Sequence, residues 1–264
     1  MKASLEQIEF LARSKNRVEL LRLLADDTHT RRSLAAATGA SQATLGRILE
    51  DFTDRSWVAQ EGSDYTATAT GEMIADGVSD LMSILETEAK LRDVVVHLPT
   101  AELEFDLRCL ADATITVPSR TRPSAPLQQV LDAMEAATTL QAFSHTLNEQ
   151  SLATVRDCVV DGGQTFETVL SEGAVQALKT DDLLWTKLLT LSANPRADIK
   201  VLTQDIPLAV VVADETVYLL VRDDEGLLRA ALHTDDSAVQ DWAATRFDHY
   251  HATAEPFDPA SFEA

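Results

Sequence analysis

One glycine limits what this chain can fold into more than any other residue. Gly39 stands between two segments that each carry a helix-start signal: Thr30 ahead of Arg31–Thr38, and Ser41 ahead of a stretch running to about Arg55. A hydroxyl at either position can accept from a free amide of the first helical turn. A glycine adopts the left-handed conformation that ends a helix and turns the chain sharply. In the second segment Leu45, Ile48, Leu49 and Phe52 fall at i, i+3, i+4 and i+7, the pattern of one buried helical face. The spacing predicts two helices meeting at a tight corner, with Gln42, Ala43, Thr44, Gly46 and Arg47 on the open side of the later one.

The flanks extend that pattern. Leu5, Ile8, Phe10 and Leu11 mark one amphipathic helix and Val18, Leu20, Leu21, Leu23 and Leu24 another, with a polar break over Arg13–Arg17. After the corner, Trp57–Gln60 and Tyr65–Thr68 read as two short strands around a turn at Glu61–Asp64. Thr70 is the expected cap of the next helix, at Gly71-Glu72. Helix, glycine corner, capped helix and hairpin together make a winged helix-turn-helix. From Gly71 to about Val96 the chain reads as one long helix, with Ile74, Val78, Leu81 and Leu85 at i, i+4, i+7 and i+11. Such a stripe suits pairing with another helix; packing within the same chain is its other use. Pro99 marks the expected boundary with the next domain.

Beyond residue 100 strands and helices are expected to alternate. The strand candidates are Ala113–Val117, Ala142–Ser144, Thr165–Leu170, Ile199–Leu202, Leu208–Ala213, Val217–Val221 and Leu228–Leu232. Helical patterns cover Leu127–Thr138, Leu147–Asp161, Ala174–Leu178, Asp182–Leu191 and Ser237–Thr253. The earlier strands, separated by helices, predict a partly parallel sheet, and the last three an antiparallel meander. The expected class is therefore α+β in two domains, with a mixed sheet in the second.

The stretch Leu34–Leu49, with Trp57-Val58 and Tyr65–Gly71, resembles the winged helix-turn-helix domain of archaeal transcription regulators. Ser41, Thr44, Arg47 and Leu49 fall on the recognition-helix pattern of such domains, while Ala67 stands where leucine is usual. Leu110–Pro118, the strand at Thr165–Leu170, the paired strands over 208–221 and the closing Trp242, Ala243, Phe247 and Tyr250 resemble the effector domain of regulators of the methanogenesis and sugar-responsive types. That resemblance spans about residues 110–255. It implies a phospholipase-like fold without the catalysis, hence a sensor and not an enzyme. The domain reading is then 1–70 for the winged helix-turn-helix, 71–98 for a linker and dimerisation helix, and 99–264 for an α/β effector-sensing domain.

Charge bears on the partner. The chain carries 22 Lys and Arg against 43 Asp and Glu, a formal −21 at pH 7. A nucleic-acid partner ordinarily goes with a basic surface, but the acidity is uneven. Residues 1–75 hold nine basic against eleven acidic side chains, and residues 76–264 hold thirteen against thirty-two. Six lysines against sixteen arginines, with many acids and small apolar side chains, resemble proteins of salt-accumulating halophiles, where acidity maintains solubility. No run of about 18 uncharged apolar residues suggests a membrane span. Cys109 and Cys158, each among apolar neighbours, read as two reduced buried thiols, so a cytoplasmic location is expected.

Catalytic patterns do not emerge. Phospholipase chemistry of this type needs a lysine two residues after a histidine, and His29, His97, His145, His233, His249 and His251 are followed at that spacing by Arg31, Pro99, Leu147, Asp235, His251 and Thr253. Gly162-Gly163 lacks the rest of a phosphate loop, and His249 and His251 would splay to different faces of a helix. No catalytic residue, metal or cofactor is therefore expected. The expected partner is double-stranded DNA, read by Ser41, Gln42, Ala43, Thr44, Gly46 and Arg47, with Arg31, Arg32 and Arg55 holding the backbone. A homodimer through Ile74, Val78, Leu81 and Leu85 and a small-molecule effector complete this reading. Arg120 and Arg122, in the proline-rich loop 118–126, are the candidate anion clamp. Two other readings remain: an architectural module whose second domain docks another protein and binds no ligand, and an enzyme fused to a DNA-binding domain.

Overall fold

The Gly39 corner forms as its spacing predicts. In the computed structural model, which describes residues 1–262, helices α1 (Lys2–Ala12) and α2 (Lys15–Asp26) lead through a two-residue strand β1 (His29–Thr30) into α3 (Arg31–Thr38). Thr30 Oγ1 accepts the Ser33 amide at 3.1 Å, and Gly39 ends α3 at φ +67°. Ser41 Oγ accepts the Thr44 amide at 3.2 Å and opens α4 (Gln42–Asp54). Leu45, Ile48, Leu49 and Phe52 are at most 3% exposed and join Leu20, Leu21, Leu24 and Leu34 in one core. Strands β2 (Val58–Glu61) and β3 (Asp64–Ala67) form the hairpin, turning through Gly62-Ser63. Strand β1 pairs with β3, making the wing three-stranded. Two residues carry no periodicity, so β1 leaves no mark in the sequence.

Helix α5 (Ala69–Leu91) follows at once. Thr68, not Thr70, opens it: Thr68 Oγ1 accepts the Gly71 amide at 3.1 Å. Thr68 and Thr70 both donate their hydroxyls to the Ser56 carbonyl, at 2.6 and 3.0 Å. They thereby hold the turn between α4 and β2, where Ser56 takes φ +58°. Gly71 is buried beneath this turn, and a Cβ there would overlap the Trp57 carbonyl oxygen, which accepts the Thr68 amide at 2.9 Å. The helix stops at Leu91, five residues before the expected Val96. Leu91, Val94 and Leu98 are all buried in one core, and the chain leaves the helix, through a 3-10 turn at Val95–His97, in a course that buries all three.

The chain divides into two compact units between Glu86 and Thr87. The second unit begins with irregular chain and short 3-10 turns through Leu110. It then runs β4 (Thr114–Thr116), α6 (Ala125–Ala136), β5 (Thr139–Ser144), α7 (Glu149–Val160), β6 (Thr165–Ser171), α8 (Glu172–Lys179), α9 (Asp182–Ser192) and β7 (Ala197–Leu202). Strands β8 (Ala209–Ala213), β9 (Thr216–Arg222) and β10 (Leu228–Thr234), helix α10 (Ser237–Thr253) and a two-residue strand β11 (Glu255–Pro256) complete it.

The sheet order is β11-β7-β6-β5-β8-β9-β10-β4. Strands β5, β6 and β7 are parallel, and β8, β9 and β10 form the antiparallel meander. Strand β4, expected among the earlier, partly parallel set, instead lies antiparallel at the edge beside β10. Alternation along the strands sends side chains to two cores. Val217, Leu219 and Val221 join the core with α10 and the irregular chain after Leu91, while Tyr218 and Leu220 join the one with α6–α9. Strand β5 begins three residues earlier than expected. Asp214, at the β8–β9 turn, accepts the Thr138 and Thr139 amides at 3.1 and 2.9 Å and ties that extension down. The fold is α+β, a helical winged unit followed by a layered mixed-sheet unit.

Gly71→Ala should destabilise the first unit by about 1–3 kcal/mol or more, because the added methyl meets backbone and not a movable side chain. Thermal unfolding followed by tryptophan fluorescence, with Trp185 and Trp242 replaced by Phe so that Trp57 alone reports, checks this; an unchanged midpoint would show that the turn yields freely.

Candidate nucleic-acid interface

Helix α4 is seated by an aromatic cluster at its far end. Phe10 of α1, Phe52 of α4 and Trp57 pack with ring centroids 5.9–6.2 Å apart. Two guanidinium groups sit over the Phe10 ring, Arg17 at 3.9 Å and Arg55 at 3.7 Å from its centroid. Arg17 also donates to the Phe10 carbonyl at 2.7 Å and pairs with Asp51 of α4 at 3.2 Å. Arg55 donates to the Asp51 carbonyl at 2.8 Å and to Gln7 Oε1 at 3.1 Å. These contacts join α1, α2 and α4 and fix the angle at which α4 presents its outer face.

On that outer face Gln42, Ala43 and Arg47 are exposed, and Thr44 and Gly46 half-buried. Ser41 and Thr44 are occupied at the cap, their hydroxyls 2.9 Å apart. Arg31 and Arg32 are exposed on α3. Arg31 reaches across the corner and donates to the Gln42 carbonyl at 2.6 Å. Gly46 makes this possible, since a Cβ at that position would intrude on the Arg31 guanidinium. Gly46 is thus the seat of an arginine, a role that spacing alone does not reveal. Arg55, grouped with the backbone-holding residues in the sequence reading, is half-buried and committed to the ring contacts above. The wing tip carries exposed Glu61 and Asp64, so the positive charge of this surface belongs to α3 and α4.

The expected pairing stripe divides in two. Ile74 and Val78 pack against the core of their own unit, whereas Leu81 and Leu85 are 42% and 56% exposed. Together with Ile8 of α1 and Met73 and Met82 of α5, they line an apolar groove of about 1050 Å³ within the first unit.

In the second unit, Arg120 and Arg122 are exposed. Their loop folds on itself: Ser119 and Arg122 exchange backbone hydrogen bonds at 3.2 Å, and Ser119 Oγ accepts the Arg122 amide at 3.0 Å. A cleft of about 660 Å³ does lie beside this loop, but its walls include Pro118, Pro123, Asn148, Arg222 and Arg229, and neither loop arginine lines it. Trp242, Phe247 and Tyr250 are buried in the core, and the Trp242 indole also donates to the Glu102 carbonyl at 3.2 Å. Both cysteines are free, and burial pushes their thiols above the usual range. His251 pairs with Asp198 at 2.8 Å. Among the described residues no cluster of three or more His, Cys, Asp or Glu has a metal-ligand arrangement, and no helix is long and apolar enough to cross a membrane.

Fold and surface together define a regulator-type architecture, a winged helix-turn-helix followed by a mixed α/β domain. Residues 5–90 match the family described as the HVO_A0261 N-terminal domain, and residues 123–253 match the middle domain of the methanogenesis regulatory protein FilR1. Among solved structures, the archaeal chromatin protein TrmBL2 is similar at 14% identity and a TM-score of 0.41, over 87% of this chain and 88% of that one. NucT from Helicobacter pylori is similar at 13% identity and 0.44, over 55% of this chain and 98% of that chain. Nuc from Salmonella typhimurium, a phospholipase D family member, is similar at 12% and 0.42 with the same coverage. Likenesses this distant carry no argument about mechanism. Among curated proteins none matches the chain.

If Arg55 acts by stacking and bridging, Arg55→Ala should lower the stability of the first unit by about 1–2 kcal/mol, with Arg55→Lys recovering only part of it. Equal stability of all three forms in chemical denaturation would remove Arg55 from the seating of α4.

Proposed function

We propose that this protein is a sequence-specific DNA-binding transcription regulator of the cytoplasm, that it acts as a homodimer, and that its second unit senses a small-molecule effector. The observation that carries the reading is the outer face of α4: Gln42, Ala43 and Arg47 stand exposed at the start of a helix whose opposite face is fully buried. A recognition helix enters the major groove with this end. Arg47 is suited to guanine and Gln42 to adenine, while Arg32 and the α3 face contact phosphates that position without specifying. Arg31 holds the carbonyl of Gln42 and thereby sets the reading end of the helix. The FilR1 domain match supports a role in regulation.

The dimer reading rests on the exposed part of α5 and its groove. Helix-turn-helix proteins bind paired half-sites as dimers, and an open apolar surface of this size calls for a partner. The effector reading rests on the FilR1 domain match and on the partly polar cleft beside the proline-rich loop. The acidity of residues 76–264 suits a salt-rich interior, so binding is best measured in molar potassium chloride as well as in dilute buffer.

Arg47→Ala should weaken binding to a mapped operator by about 1–3 kcal/mol in fluorescence anisotropy and relax discrimination at one base position; unchanged affinity would remove α4 from the groove. Leu81→Asp combined with Leu85→Asp should give a monomer by light scattering and lower affinity for an operator with two half-sites. A double variant that stays dimeric would place the pairing surface elsewhere.

A further inference from the structure

The second unit holds a half-buried cation with no ion-pair partner. Arg222 ends β9, and its Nη1 donates to the Gly226 carbonyl at 2.9 Å. Its Nε is buried and has no hydrogen-bond partner. The neighbouring Asp223 is already committed: Oδ1 accepts the Glu225 and Leu227 amides at 3.1 and 2.9 Å, and Oδ2 accepts from Arg229 Nε at 2.5 Å. Burial alone draws the Arg222 pKa down, with no carboxylate acting against it. A buried charge without a partner is costly. In a chain with 43 acidic against 22 basic side chains, a missing counter-ion is not a matter of supply.

A second unpartnered nitrogen belongs to the same place. His145 directly follows β5, and its Nδ1 is buried without a partner. Burial and the charge of Arg222 lower its pKa, while the Ile206 backbone and Asp205 act in the opposite sense. Strands β5, β8 and β9 are adjacent in the sheet, so the residue after β5, Pro207-Leu208 ahead of β8, and the last residue of β9 meet at one end of it. That end is the carboxyl end of the parallel strands, where open α/β sheets bind ligands. A cavity of about 350 Å³ opens there. His145 and Arg222 line it together with the apolar Leu98, Pro99, Leu208 and Leu220, and Asp223, Asp224 and His97 also border it. This volume lies in the range of metabolite sites.

We propose that this cavity binds a small organic acid, its carboxylate held by the Arg222 guanidinium and the His145 ring and its apolar body lying against Leu98, Pro99, Leu208 and Leu220. A carboxylate accepts from a guanidinium and supplies the charge that Arg222 lacks. Leu98, Pro99, Leu208 and Leu220 offer a hydrocarbon body a surface that bare phosphate would not use. The inference deepens the effector-sensing reading and rests on it for its biological meaning, but the binding step can be measured without DNA.

The test uses the full chain with sodium benzoate, sodium 2-methylpropanoate, inorganic phosphate and the neutral benzamide. One of the two carboxylates should raise the melting temperature saturably, by roughly 5–10 °C at about a hundred times its Kd, and benzamide should not. Arg222→Gln should weaken that binding by about ten-fold or more while leaving the ligand-free protein as stable as the parent, or more so, because an uncompensated charge is removed. His145→Gln should weaken it less, and Arg120→Gln with Arg122→Gln should leave it unchanged. Stabilisation by phosphate alone, no saturable effect from either carboxylate, or equal binding by the parent and both the Arg222 and His145 variants would overturn the proposal. Acid binding that leaves operator affinity unchanged would keep the site and sink the sensing reading. Operator binding without any acid binding would do the reverse.

Discussion

The first unit depends on how α4 is held. Leucines and isoleucine bury one side of α4, but burial alone leaves a helix free to slide and roll by a fraction of a turn. The Phe10 ring, overlain by the guanidinium groups of Arg17 and Arg55 and packed against Phe52 and Trp57, removes that freedom by linking three helices and the start of the wing. At the other end, Arg31 crosses from α3 to the Gln42 carbonyl over the bare backbone of Gly46. The helix is pinned at both ends by arginines. Pre-setting a binding surface in this way reduces the ordering cost when it meets a partner.

The same chemistry explains how so acidic a chain can present a surface suited to a polyanion. Cations are scarce, and several in the first unit serve the fold: Arg17, Arg31 and Arg55 all have partners inside it. Arg32 and Arg47 remain exposed, next to the corner. The wing tip is acidic, so the exposed positive charge near the corner belongs to α3 and α4. In the second unit the pattern is inverted. There a half-buried Arg222 has no carboxylate paired with it while acids crowd the surface, and the anomaly coincides with a cavity. Uncompensated charge is informative in both units because the rest of the chain supplies so much of the opposite sign.

Much of this organisation was legible before any coordinates. Thr30, Gly39 and Ser41 announced the corner because capping and left-handed backbone are local properties. The parallel and antiparallel halves of the sheet followed from whether helices or short turns separate the strands. Less was legible wherever a residue acts on something far away in sequence. Gly46 looked like part of the reading face and proved to seat an arginine fifteen residues earlier. Arg55 looked available and lies over aromatic rings. Thr68 took the capping role expected of Thr70, because the chain needed both hydroxyls for the Ser56 carbonyl. Arg120 and Arg122 drew attention as loop arginines, yet the loop turns on itself and they do not line the cleft beside it.

What the sequence alone determined is the set of local decisions: where helices start, where the chain must turn, which faces are apolar, and the absence of a catalytic histidine-lysine pattern. Those follow from backbone sterics, capping and periodicity over a few residues. Tertiary structure alone decided which arginines are occupied, where α5 gives way to the second core, that β4 closes an edge beside β10, and that His145 and Arg222 share one cavity. Residues 77 positions apart meet only when three strands are laid side by side, and no local pattern encodes that neighbourhood.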